Sequence, residues 1–484
     1  MKLRKTLKLH WLFLIILLVA AFLRFWRLEQ LTTFGGDQGY DFLIAKSIIQ
    51  WKFTLLGPKI GPYNNLGNLY LGPAYYYLIA PWLFLFHFDP IGPAIFSVLT
   101  ALATILIVYI TAYKFLSEKV AILSSAIYGF NALLIEQARA SSNPHLMPFF
   151  AALAIYSCLK ILQEKSKLLI WPILTGICTG IAVQLHYLAI SLLIIISIFI
   201  GINKKYKFLA LTLLGFVFAL SGEILFEIRH NFFITNLFLL QLHQGKVFSF
   251  LAIFKNISLS VALVNSAFFV LPILIIFALS KRNIPRSKTL FILLTAAILG
   301  FLLVIIYPGN PQPHYFAPIY VSLVLLLSVI LLSLFGSRQN IFVKLATVFF
   351  IALYFLVNIT SYHLLRKNGY TMPEGWNSKG VKIASKAIAD DVDSNKSFNV
   401  ASTLDGDTRA MPYRYMLSVY GKNPLNVEQY PQAEVIYLIA RDSEEKIKTY
   451  TVWEIASFSP YNITKVANIQ NGISVFKLTK AITN

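Results

Sequence analysis

The chain has 484 residues, 57% of them hydrophobic and only 13% charged, with a mean hydropathy of +0.67. A soluble globule carries about 25% charged residues, so this composition excludes one and points to a membrane protein. The net charge of +21 is no nucleic-acid footprint: from Arg366 onward basic and acidic residues nearly balance (15 against 12), and the excess (27 against 9) gathers in short loops of the apolar part, as membrane topology demands.

Apolar blocks of roughly 16–23 residues, the length that crosses about 30 Å of hydrocarbon, recur from Leu9 to Ile359. The first, Leu9–Trp26, lacks a small-residue cleavage site and ends on Arg24 and Arg27, so it reads as a retained span and not a removed signal peptide. The others are Ile91–Tyr113, Val120–Glu136, Leu146–Ile161, Leu168–Leu185, Leu188–Ile202, Phe208–Leu225, Ile257–Leu279, Leu290–Tyr307, Ile319–Phe335 and Ile341–Ile359. Alternate connections are short and basic: Met1–Lys8, Lys114–Lys119, Lys160–Lys167, Lys204–Lys207, Lys281–Lys288 and Arg338–Lys344. Positive loops mark the cytoplasmic side, so an odd number of spans places the N-terminus inside and the C-terminus outside the cell's inner (plasma) membrane. Cys158 and Cys178 both lie within apolar blocks and read as packing residues.

The first expected outer connection, residues 29–90, is long and rich in Gly, Pro, Tyr and Asn. Within it Tyr40–Trp51 reads as a short surface helix, and Leu69–Leu85, with its tyrosines and Trp82, as an interfacial segment. Arg229–Asn256 alternates polar and apolar residues, and PGNPQPH is a tight loop before Tyr315. From Arg366 the charges become frequent. A helical stretch, Ser378–Asp391, precedes the strand-like runs Phe398–Ser402, Ala433–Ala440 and Ile473–Thr479. The expected architecture is an all-α polytopic membrane domain of about 11 spans (residues 1–365) followed by a small extracytoplasmic α/β domain (366–484).

Ends of spans are wet, so an isolated polar residue there needs no special reason; several clusters on one side of a membrane do. FGGDQGYDFLIAK follows the first span. Its glycines, Gly35, Gly36 and Gly39, are expected to make a tight turn with positive φ, holding Asp37. A carboxylate there can accept a proton from an attacking hydroxyl or hold a cation. Asp41, four residues on, also suits the first turn of a helix starting at Tyr40. EQARASSNPHLMPF brings Arg139, Asn143 and His145 together, FEIRHNF carries Glu227, Arg229 and His230, and the Pro-rich loop carries His314 and Tyr315. His145, His186, His230, His243 and His314 all fall on the expected outer side. Basic groups, one placed carboxylate and many tyrosines at one face suit a lipid-linked phosphate substrate. No Walker, GxGxxG, HExxH or CxxC pattern is present, which disfavours ATP-driven transport and zinc-protease chemistry.

The order of these motifs resembles the membrane-embedded C-type (GT-C) glycosyltransferases that use polyprenyl-phosphate sugars, nearest to bacterial protein O-mannosyltransferase-like enzymes and lipid A aminoarabinose transferases. Asp37 in GGDQGYD matches the acidic residue of that family's first extracytoplasmic loop. LGPAYYYLIAP, with Tyr76, resembles its Pro-Leu-Tyr-Tyr segment, ARASSNPHLMPFF its next outer loop, and PHYFAPIY a late loop. The likeness covers roughly residues 9–360. Gln38 stands where many members have Glu, which leaves Asp37 as a lone base and gives no acidic pair to support a divalent metal; no cofactor is expected. The resemblance implies transfer of a hexose or pentose from a polyprenyl-phosphate donor to a lipid, glycan or protein acceptor at the outer membrane face, with inversion. Asp37 would be the general base. Gln38, Asp41, Tyr76, Arg139, Asn143, His145, Glu227, Arg229, His230, His314 and Tyr315 would be substrate-binding candidates, Arg229 foremost for the leaving phosphate. A transporter or flippase of a lipid-linked saccharide is the main alternative. It would call for mid-span charges and internal repeats, and the sequence shows few of the former and none of the latter.

Overall fold

The computed structural model describes residues 2–60, 69–163, 168–242, 287–306, 312–335, 339–370, 372–404 and 406–481; the expected span Ile257–Leu279 and His243 lie outside them. In chain order the helices are α1 (Lys2–Phe25), α2 (Leu28–Leu31), α3 (Gly36–Ile49), α4 (Ala74–Leu85), α5 (Ile91–Phe115), α6 (Glu118–Gly129), α7 (Ala132–Arg139), α8 (Asn143–Gln163), α9 (Ile170–Leu185), α10 (Ile190–Ile202), α11 (Tyr206–Ala219), α12 (Ser221–Arg229) and α13 (Phe233–Leu242). Beyond residue 286 follow α14 (Lys288–Ile306), α15 (Tyr320–Ser333) and α16 (Ile341–Thr360). Five segments among the described residues are long and apolar enough to cross a bilayer: α5, α8, α14, Pro313–Ser333 and α16. The number rises to seven if the bent pairs α6–α7 and α11–α12 each make one span. His10–Phe25, α4, α9 and Tyr187–Ile202 are apolar but shorter.

The sequence reading drew Val120–Glu136 and Phe208–Leu225 as single spans, whereas the chain bends by 58° after α6 and by 64° after α11. A break in apolar surroundings frees backbone groups that must be satisfied internally. At the first bend Asn131 Oδ1 accepts from Leu134 N (3.0 Å), and Asn358 Oδ1 accepts from Ala132 N (2.8 Å). The fully buried Arg24 donates to Gly129 O (2.8 Å) and Tyr128 O (3.4 Å), covering the last carbonyls of α6. Arg24 thus serves as an internal cap as well as a charge near a span end.

In the long first loop, β1 (Lys59–Ile60) pairs antiparallel with β2 (Leu69–Tyr70) just before α4. The surface helix starts four residues earlier than the sequence reading placed it. Gly35 is its N-cap, and Gln38 Oε1 accepts from Gly35 N (3.1 Å), so the first turn closes on GDQ and Asp37 lies inside it.

In the C-terminal segment α17 (Ser378–Asp391) is capped by Asn377 Oδ1, which accepts from Gly380 N (3.1 Å). It is followed by β3 (Phe398–Ser402), α18 (Met411–Val419), β4 (Val435–Ala440), β5 (Tyr461–Gln470) and β6 (Ile473–Lys480). The sheet has the order β3-β4-β6-β5, with β3–β4 parallel and the other pairs antiparallel. All six residues of β4, VIYLIA, are buried, as an apolar run covered on both faces requires. This segment rests on the first loop. Lys382 Nζ bridges Glu29 (2.7 Å) and Asp89 (2.9 Å), Tyr415 OH donates to Phe88 O (2.7 Å), and Lys46 Nζ donates to Ser418 O (2.6 Å).

Candidate active site

The glycines around Asp37 do a different job from the one their pattern implied. None of Gly35, Gly36 and Gly39 has positive φ. They permit close approach. A Cβ on Gly36 would lie 2.6 Å from Asp407 Oδ2, and one on Gly39 would lie 2.4 Å from the backbone of Met411 and Pro412. The loop that opens α18 therefore lies directly against the first turn of α3. Arg409 follows Asp407 there and binds it through two hydrogen bonds, Nε to Oδ1 (2.7 Å) and Nη2 to Oδ2 (3.1 Å).

This contact sets the charge state of Asp37. Asp37 is itself exposed toward the cavity, but the protein around its carboxyl partly desolvates it and raises it above the usual carboxylate range; the Asp407 charge raises it further, and Arg409 draws it down. One turn on, Asp41 is buried, and burial together with the Asp37 charge holds its carboxyl well above the ordinary range, against a lowering influence from the Tyr76 hydroxyl. Of the two carboxyls, Asp41 is held further from ionisation.

Asp37 opens into a cavity of about 520 Å³ whose wall also carries Gln38, Asp41, Asn143, His145, His314 and Tyr315. The elements that hold them are secured locally. Asn143 Nδ2 donates to Leu185 O (2.8 Å), tying the start of α8 to the end of α9. His145 Nδ1 faces Ala140 O (2.7 Å), a carbonyl that can only accept, so in the neutral ring Nε2 is an acceptor. His186, which joins α9 to the following turn, has the opposite tautomer: its Nδ1 accepts from Leu188 N (3.3 Å), leaving Nε2 as a donor. It too lines the cavity, with its ring centroid 5.9 Å from His314 and 4.9 Å from Tyr315. One wall thus offers complementary hydrogen-bonding imidazoles beside an aromatic face. Among the described lining residues the fixed cations are Lys59, on β1, and Arg409. Neither stood out in the sequence; Arg409 is in the polar run DGDTR before a helix opened by Pro412, a turn signal that hinted only at a loop.

The remaining candidates lie elsewhere. Arg139 is buried with its guanidinium donating to Leu23 O, near the Glu136–Arg366 ion pair (3.4 Å). Tyr76 is buried on α4 beneath Asp41 and does not line the cavity. Glu227 caps α13, accepting from Ile234 N and Thr235 N (2.9 Å each) and from Thr235 Oγ1 (2.6 Å). Arg229 and His230 are exposed at the end of α12, His230 stacked on Phe226 at 4.0 Å. Among the described residues no three His, Cys, Asp or Glu side chains form a group able to hold a metal ion.

A second cavity of about 510 Å³ adjoins the first turn of α3 on the side of the C-terminal segment. It shares Thr33, Gly36, Asp37, Gln38 and Arg409 with the first. Its own wall is supplied by Gly35, Met372, Gly406, Asp407, Thr408 and Glu454.

Residues 71–222 match the family model of dolichyl-phosphate-mannose-protein mannosyltransferases. No curated protein matches the sequence. Among solved structures the chain is similar to ArnT from Cupriavidus metallidurans bound to undecaprenyl phosphate, at 15% identity and a TM-score of 0.60 over 96% of this chain and 97% of that one. It is similar as well to the oligosaccharyltransferase of Archaeoglobus fulgidus (13% identity, TM-score 0.57, 94% of this chain and 73% of that one). A third likeness is to the arabinofuranosyltransferase AftD from Mycobacteria (12%, 0.57, 98% of this chain and 40% of that one).

Proposed function

We propose that this chain, a polytopic membrane protein with the fold of the C-type glycosyltransferases, moves a sugar from a polyprenyl-phosphate donor to an acceptor hydroxyl. The observation that carries the reading is the position of Asp37, a carboxyl with raised proton affinity that opens into a cavity holding Lys59, Arg409 and three histidines. A general base works best when its pKa approaches the working pH, and partial desolvation moves Asp37 in that direction.

In this mechanism Asp37 accepts the acceptor's hydroxyl proton as that oxygen forms its bond to the anomeric carbon. The bond from carbon to the lipid phosphate breaks on the opposite face, and its electron pair leaves with the phosphate, so configuration inverts. Lys59, on the wall of the first cavity, offsets the charge that develops there, in place of the exposed Arg229. Asn143, His145, His314 and Tyr315 meet the sugar, with the two histidine tautomers at His145 and His186 matching hydroxyls that both donate and accept. Gln38 acts by capping the helix that presents Asp37, and Asp41 by remaining protonated beside it. The lipid arm lies in the membrane, the reaction takes place at its extracytoplasmic face, and no metal is assigned a step.

Replacing Asp37 by Asn keeps the shape and removes the base. Transfer from a labelled polyprenyl-phosphate sugar should fall by about 100-fold or more, the scale of general-base catalysis, while undecaprenyl phosphate binding measured by native mass spectrometry stays within about twofold. Undiminished turnover in that variant removes Asp37 from the chemistry.

A further inference from the structure

We infer that the second cavity seats the acceptor, and that the acceptor is an uncharged saccharide. The inference rests on the sugar-transfer reading above and adds to it the class of the receiving molecule. An inverting displacement needs nucleophile and leaving group on opposite faces of one carbon. Asp37 is shared by both cavities. The first holds Lys59 and the histidines suited to a phosphate and a donor sugar. The second is a separate approach to the same carboxylate.

Its wall specifies what fits. Thr33, Thr408, Gln38 and the carboxylates of Asp407 and Glu454 offer hydrogen bonds of the kind that hold sugar hydroxyls, and Met372 is the one large apolar side chain among the lining residues described. An acyl chain would find no bed there. An anionic headgroup would meet three carboxylates, Asp37, Asp407 and Glu454, and one guanidinium that Asp407 already engages twice. Like charges facing one cavity disfavour a further anion there. A peptide adding to the sheet beside this cavity would need the edge of β3, which is already used: Phe398 O accepts from Leu425 N (2.9 Å), Val400 O from Tyr430 OH (2.8 Å), and Ser402 N donates to Thr408 O (3.1 Å). A hydroxyl-rich neutral sugar satisfies all three constraints.

The test uses the full-length protein in nanodiscs and saturation-transfer NMR. The probes are three neutral disaccharides (maltose, mannobiose and arabinobiose), maltose phosphate, and a short Ser/Thr peptide. In parallel, undecaprenyl phosphate binding is followed by native mass spectrometry. At least one neutral disaccharide should bind saturably, with maltose phosphate and the peptide at least tenfold weaker. Thr408→Trp, which fills the cavity, should cut saccharide binding at least tenfold, and Glu454→Lys should shift preference toward the phosphate; both should leave undecaprenyl phosphate binding unchanged. The acceptor assignment is overturned if no disaccharide binds while the lipid does, if neither variant alters binding, or if the phosphate or peptide is preferred by the unaltered protein. Failure of the unaltered protein to bind undecaprenyl phosphate would instead defeat the transfer reading itself.

Discussion

Asp37 is governed by two neighbours that belong to each other. Asp407 raises its proton affinity and Arg409 lowers it, and the two are joined in a bidentate pair. Replacing Asp407 by Asn removes the raising charge and releases the guanidinium from its partner, so both changes lower the Asp37 pKa. Base catalysis needs the ionised carboxylate, hence the acid limb of the pH–rate profile should move to lower pH. Arg409→Gln should move it the other way, and single-turnover transfer measured from about pH 4 to 9 checks both signs. At this scale Asp37 could be singled out from the sequence, because it stands among three glycines just after an apolar block. Asp407 and Arg409 could not. They lie far along the chain in an ordinary polar turn, and only the docking of that turn onto α3 gives them a role.

The elements around the site owe their fit to small residues. Because a Cβ on Gly39 would sit 2.4 Å from backbone atoms of Met411 and Pro412, no side-chain rotation relieves the clash. Gly39→Ala should therefore cost about 1–3 kcal/mol, the range for overpacking, and part α3 from α18. Thermal unfolding in detergent should show a lowered Tm, and limited proteolysis should release the C-terminal segment more readily. Gly35→Ala is the matched control, since its Cβ would meet nothing nearer than 3.6 Å. Helices such as α5 and α16 were plain from apolar length, and α17 and β3 from local pattern. The bends after α6 and α11 were not, because apolar runs continue through them; Asn131, Asn358 and Arg24 from three separate helical regions supply the bonds that make the first bend tolerable. β5 escaped notice because it is an edge strand with mixed, half-exposed residues.

For the whole molecule, the basic loops predict an orientation, N-terminus inside and C-terminus outside, that has a direct test. A phosphatase reporter active only outside the cytoplasm should be active when fused at the C-terminus and inactive when fused at the N-terminus; the reverse pattern would move the proposed reaction to the other face. Composition and the recurring apolar blocks marked this as a membrane protein, and the length of those blocks, that of a helix crossing the hydrocarbon core, marked its helical character. Which polar residues meet was decided by tertiary structure. Asp37, His145, His186, His314, Lys59 and Arg409 share a wall, while Arg139 and Arg229, equally conspicuous in the sequence, do not. The physical reason is that hydrophobic length is a property of a segment and can be read from it, whereas a cavity exists only between segments and is shaped by bends, close glycine contacts and a docked sheet that no single segment contains.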